Sequence, residues 1–193
     1  MKTYKMETKN NKFKVYHKIP QDLTGEYLLP LNKFKVANPD LYERYVEKYN
    51  GRKELLERTI PKLNCYWNDV IFFSPIHPRK IHLVFDDIGI KYKESKWFEI
   101  SIDNFENIDK NMVVYFYRKK EKGDFRIDEE DVIRFNKLKF AEIDEIPEET
   151  LNYYQRSHDR KDDKLFTFHG IPHVLYKGKV RIENLNRICL PGN

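Results

Sequence analysis

Cysteine, glycine and long apolar runs are all scarce in this chain. Its 193 residues include only two cysteines and seven glycines. Cys65 and Cys189 lie far apart with no C-x-x-C spacing, so they read as two reduced thiols and not as a disulfide framework or redox pair. The longest apolar stretches, Val70-Ile71-Phe72-Phe73 and Met112 to Tyr117, fall well short of the ~20 residues needed to span a bilayer, and no membrane association is expected. The lysines of Met1 to Lys14 are not followed by an apolar segment, which excludes a secretory signal there and makes a cytoplasmic location the expectation. A phosphate-cradling glycine loop, a G-x-S-x-G elbow and an H-E-x-x-H helix are also missing, and several common enzyme classes lose support with them. Without G-x-G-x-x-G a Rossmann dinucleotide site is not expected, although nicotinamide binding by another fold remains open.

Aromatic residues are plentiful. Charged residues make up 35% of the chain and hydrophobic ones 40%, a balance that would point to disorder without thirteen Phe, thirteen Tyr and two Trp. Each aromatic buries a large area, so fewer core positions suffice to offset chain entropy. A chain of this length can bury about 70% of its unfolded surface, enough for one domain without staples. No repeat or linker divides it, and the reading is a flexible stretch over residues 1–12 followed by a single domain over 13–193. The net charge of +5 comes from 36 bases against 31 acids, mostly interleaved. Lys9, Lys12, Lys14, Lys18, Lys33, Lys35 and Arg118-Lys119-Lys120 are either one positive face suited to nucleic acid or ordinary solvated lysines.

Hydrophobic periodicity and punctuation place the elements. Strands are expected at 13–18, 70–74, 96–102, 112–117, 165–168, 173–176, 180–182 and 187–190. Asn38-Pro39 starts a helix carrying Leu41, Tyr42, Tyr45, Val46 and Tyr49, and a second helical segment is expected from Leu55 to Ile60. Another helix spans 78–88 and stops at Gly89; two more are expected over 128–136 and 147–158, with an extended piece at 138–143 between them. Residues 103–106 read as a turn and 119–125 as a charged loop. Helices gather early and strands late, so the fold class is α+β with a mixed or antiparallel sheet.

Candidate chemistry is sparse. His169 and His173 have the spacing of a helical metal pair, but Gly170 and Pro172 oppose a helix and no metal is expected. Cys65-Tyr66-Trp67-Asn68-Asp69 can line a pocket, with Trp67 as a stacking plane and Asn68 and Asp69 as hydrogen-bonding groups; equally, it can be a turn with a core tryptophan. Ser74 is a strand-end hydroxyl or a turn cap, and His17 a pocket or edge residue. Glu99 is of interest as an acid or base only if it faces inward. A Cys65 nucleophile served by His17 or His173 is a hydrolase alternative.

In order along the chain, three segments resemble the ADP-ribosyltransferase fold, in particular its DNA-modifying toxin branch and the related RNA 2'-phosphotransferase. That family opens with a strand carrying Tyr-His, and Val15-Tyr16-His17 is similar. Its Phe-rich strand ending in a small polar residue and proline resembles Asp69 through Ser74-Pro75, and its closing strands resemble His173 through Ile188. The resemblance implies a split sheet that clamps NAD or another nucleotide. It assigns His17 to the ribose and Ser74 to positioning nicotinamide, and it places His173 where a catalytic glutamate is expected. Tyr16, Trp67, Asn68, Asp69 and Tyr176 would complete the cofactor site. A neutral histidine cannot supply a carboxylate's charge to an oxocarbenium-like transition state, so transfer to nucleic acid or protein is in question. The alternative is a non-catalytic nucleic-acid or protein interaction domain of a bacterial or phage cytosolic protein.

Overall fold

The computed structural model describes residues 13–117, 126–140, 143–162 and 164–193. The stretch 1–12 and the charged stretch 119–125 anticipated from the sequence lie outside these residues. The described chain mixes helix and strand, as α+β requires. In order it forms β1 (Lys14–Lys18), β2 (Tyr27–Leu28), α1 (Leu31–Ala37), α2 (Pro39–Val46), β3 (Thr59–Ile60), β4 (Cys65–Tyr66) and β5 (Ile71–Phe73). Then follow α3 (Pro78–Ile88), β6 (Ser95–Ser101), α4 (Ile108–Asn111), β7 (Met112–Tyr115), β8 (Val132–Arg134) and α5 (Lys137–Phe140). The chain closes with α6 (Glu148–Asp159), β9 (His173–Tyr176), β10 (Val180–Arg181) and β11 (Asn186–Leu190).

Two antiparallel sheets organise the molecule, one ordered β1-β6-β11 and the other β5-β9-β7-β8. They meet at one bridge, in which Tyr16 N–H donates to Ser74 O at 2.8 Å and Ser74 N–H donates to Tyr16 O at 2.9 Å. On the Lys18 and Phe72 side of that bridge the sheets part. Strand alternation sends Val15, Phe73, Ile100, Val114 and Val174 into the main core, while Phe72, Leu175, Val113 and Tyr115 turn to a second apolar cluster with Trp67. A third cluster, around Ile81, Phe85, Tyr154 and Ile171, fastens α3 to α6.

Local chemistry accounts for the helix ends. Asn38 Oδ1 accepts from Leu41 N–H at 3.1 Å with Pro39 at the first helical position, so α2 begins where the sequence indicates. Pro78 likewise opens α3, which buries Ile81, Val84 and Phe85 and stops at Gly89 in the left-handed region at φ 87°.

Four expectations need correction. The helix foreseen over 128–136 is a 3-10 turn at Glu129–Asp131 followed by β8, because Val132 and Ile133 find ladder partners on β7. Residues 165–168 form no strand; the Thr167 carbonyl takes the Tyr154 hydroxyl, a side-chain donor in place of a ladder partner. The segment 55–60 is a 3-10 turn at Lys53–Glu57 running into β3, whose partner β4 captures Thr59 and Ile60. Within 138–143 the chain is helical to Phe140, where Phe140 N–H reaches back to Asn136 O at 2.9 Å. The helix expected over 147–158 is present as α6, and among the described residues the larger share of helix lies in the first half, as expected. The sequence reading further missed α1, which follows Pro30 and buries no residue.

Phe73 is 1% exposed and meets Phe105 edge to face at 5.2 Å. Phe73→Ala is expected to lower unfolding free energy by about 3–5 kcal/mol in urea titration. Exposed Val36, 90% accessible, changed to Ser should stay within about 0.5 kcal/mol of wild type.

Candidate functional site

The parting of the sheets opens a cavity of about 540 Å³. Its floor comes from His17 on β1 and from Ile71 and Phe72 on β5; its walls from Trp67, Asn68 and the tyrosines of the α2 region. His17 is held by its own ring. Its Nδ1 lies 2.8 Å from the Phe72 carbonyl oxygen. A carbonyl only accepts, so Nδ1 carries the proton and, in the neutral ring, Nε2 is an acceptor. Burial pushes the His17 pKa down and outweighs the raising effect of that hydrogen bond, so the neutral form is favoured. Asn68 Oδ1, buried on a residue that lines the same cavity, has no hydrogen-bond partner. The site therefore holds an acceptor on the His17 ring and a second, unsatisfied acceptor buried in the wall at Asn68, and a ligand that reaches them must bring donors.

Trp67 is fixed more than it is offered. The Arg58 guanidinium stands 3.8 Å over its ring, Phe72 lies 4.5 Å away by ring centroids, and Tyr115 meets it edge-on at 5.8 Å. These contacts make it a core residue at the cavity wall and leave stacking to the α2 region. There Tyr45 meets Phe34 edge to face at 6.0 Å and carries the Lys48 ammonium 4.7 Å above its ring. Tyr45, Phe34, Tyr49 and Lys48 all line the cavity. Their signal in the sequence was the tyrosine stripe along α2, which reads equally well as core.

The other anticipated residues lie elsewhere. Ser74 is buried, its hydroxyl donating to Ile76 O at 3.0 Å and accepting from Ile76 N–H at 3.1 Å, the bonding of a turn cap. Tyr16 is buried with Trp97 and Leu190 and meets His77 edge to face at 4.9 Å. Tyr176 packs on Phe105 in the main core and exchanges hydrogen bonds with the Glu106 backbone. Asp69 accepts from Asn32 Nδ2 at 2.8 Å and from Tyr66 N–H at 2.9 Å, away from this cavity. His173 sits on the face of the sheet opposite the main core, its ring near Phe72 at 6.3 Å and Phe168 at 6.0 Å. Of the three residues assigned to catalysis, only His17 lines the cavity.

Alternative chemistries find little footing. Burial pushes the Cys65 thiol up to about 11, so the thiolate a nucleophile needs is disfavoured at neutral pH. Glu99 is engaged by Lys14 Nζ at 2.8 Å and Asn186 Nδ2 at 2.9 Å; burial alone would raise its pKa, but these partners hold it below the usual range. Among the described residues no group of three or more His, Cys, Asp or Glu is placed to hold a metal ion. Nor, among them, is any helix long and apolar enough to cross a membrane.

Burial pushes His173 down to about 4, against a smaller raising effect from its hydrogen bond to the Ile171 backbone. Between pH 6.5 and pH 4 the unfolded chain takes a proton that the folded chain refuses, so stability falls as pH falls. The linkage amounts to about 3 kcal/mol. His173→Phe should flatten the acid side of the stability profile by that order when urea midpoints are followed from pH 7 to pH 4. An unchanged profile, or an NMR titration of His173 near pH 6.5, would contradict the burial argument.

Protein-family models, curated proteins and solved structures were each compared with the chain, and none matches it.

Proposed function

We propose that this domain binds a nucleotide, with NAD as the leading candidate, in the cavity where its two sheets part. The observation that carries the reading is the pair of acceptors the cavity's lining residues hold, neutral His17 Nε2 and, buried in the wall, the unpartnered Asn68 Oδ1. A ribose diol, an adenine amino group or a nicotinamide carboxamide brings the donors they lack. The cavity volume of about 540 Å³ falls within the ordinary range for small-molecule sites, and Phe34, Tyr45 and Tyr49 provide aromatic surface for a planar base. Lys18 and Lys48 supply positive charge for phosphates at the same cavity.

An ADP-ribosyltransferase-like fold is part of this proposal. In its support, the three segments that resemble that family fall on β1, on β5 and on the stretch from β9 into β11, and of these β1, β5 and β9 follow one another across the junction of the split sheets. Transfer chemistry receives no such support, because Ser74 and His173 do not line the cavity and His173 carries no carboxylate. The reading is therefore binding without transfer.

Calorimetry and thermal-shift measurements with NAD, ADP-ribose and AMP test it. A rise in melting temperature at millimolar ligand is expected, with affinity falling roughly tenfold in Asn68→Ala, the size of one buried hydrogen bond. Label from NAD is expected not to reach protein or nucleic acid in a lysate. Failure of all three ligands to shift the melting curve would end the reading.

A further inference from the structure

On the other side of α1 lies a second cavity, of about 900 Å³, to which the reading above assigns nothing. Helix α1 is the partition between the two: Leu31 and Phe34 line the first cavity, Lys33 and Ala37 the second. The 3-10 turn Trp67–Asp69 is divided in the same way, with Asn68 on the first cavity and Asp69 on the second.

The charge of the second cavity is one-sided. Lys33 arrives from α1, and Lys177 and Lys179 from the turn between β9 and β10. Asp69 is the only carboxylate among the lining residues, and both of its oxygens are already bonded, to Asn32 and to the Tyr66 N–H. Cys65, also on the wall, is kept as a neutral thiol by burial. None of the three lysines forms an ion pair with a described residue; Lys177 Nζ donates to Leu63 O at 3.3 Å, and Lys179 Nζ lies 4.3 Å over the Tyr27 ring. Three lysines thus line one hollow against a single carboxylate, an excess of positive charge.

The backbone positions two of those lysines. A Cβ at Gly178 would meet the Tyr176 ring at 2.6 Å, and that ring is fixed against Phe105 and the Glu106 backbone. The close approach makes glycine obligatory and sets the path of the turn that presents Lys177 and Lys179. Beside them Tyr66 is 53% exposed, leaving much of its ring open to a planar group.

We propose that this second cavity is a phosphate-binding site for a ligand carrying at least two phosphate groups, distinct from the cavity at the sheet split. The excess of three lysines over one carboxylate is relieved by an anion, and a cavity of this size takes more than one phosphate. A small polyphosphate and the backbone of a single-stranded nucleic acid share that chemistry. Tyr66 would serve the second as a base-stacking surface.

The test uses the full chain with two probes, inorganic pyrophosphate and a fluorescent 12-nucleotide oligothymidylate, at low salt. Binding of at least one is expected, weakened fivefold or more in the double variant Lys33→Ala, Lys179→Ala and unchanged in Asn68→Ala, which separates this site from the first cavity. If the oligonucleotide binds, the double variant should also lower its salt slope by about 1.4, the share of two phosphate contacts. Acetylation mapped by mass spectrometry should show Lys33, Lys177 and Lys179 protected by the bound probe, a readout that needs no variant. Tighter binding of the oligonucleotide identifies a strand and tighter binding of pyrophosphate a small phosphate ligand, and either result sustains the site. No binding of either probe, equal affinity in the double variant, or protection confined to other lysines would overturn it.

Discussion

Two hydrogen bonds between Tyr16 and Ser74 join the halves of this protein, and the rest of the structure is arranged around the place where that pairing stops. A third ladder bond is replaced by a side chain, because His17 turns its Nδ1–H to the Phe72 carbonyl. The exchange keeps the carbonyl satisfied while the strands separate, as a buried backbone acceptor requires. The same bond selects the tautomer of His17 and so determines what the ring offers to the cavity beside it. Architecture and site chemistry therefore depend on one residue.

Aromatic side chains allow a highly charged chain to support this arrangement. Phe73 and Phe72 are neighbours in sequence and face opposite ways, one into the main core and one towards Trp67 and Tyr115. Arg58 closes the open side of Trp67 and anchors the turn from which Asn68 and Asp69 diverge. The Asn32–Asp69 hydrogen bond ties α1 to that turn, so a helix without a single buried residue becomes the wall between two cavities.

What was legible in the sequence followed short-range rules. The Asn38-Pro39 start of α2, the Pro78 to Gly89 limits of α3 and the strands at β1, β5, β6, β7, β9 and β11 are encoded by caps, breakers and alternation within a few residues. The errors arose where a distant partner decided. Val132 and Ile133 are strand because β7 lies beside them, and residues 165–168 are not, because a tyrosine hydroxyl from α6 took the carbonyl. Of the residues singled out for the candidate site, His17, Trp67 and Asn68 line the first cavity, while Ser74, His173, Tyr16 and Tyr176 are occupied by capping and packing.

By itself the sequence determined the α+β class, the positions of most elements and an aromatic core, since each rests on local periodicity and on the area an aromatic ring buries. Tertiary structure alone decided which polar groups share a space. His17 and Asn68 lie far apart along the chain yet line one cavity, and Lys33 lines another with Lys177 and Lys179. Side-chain direction and the parting of two sheets set those meetings, and both depend on pairings between strands that the order of residues does not display.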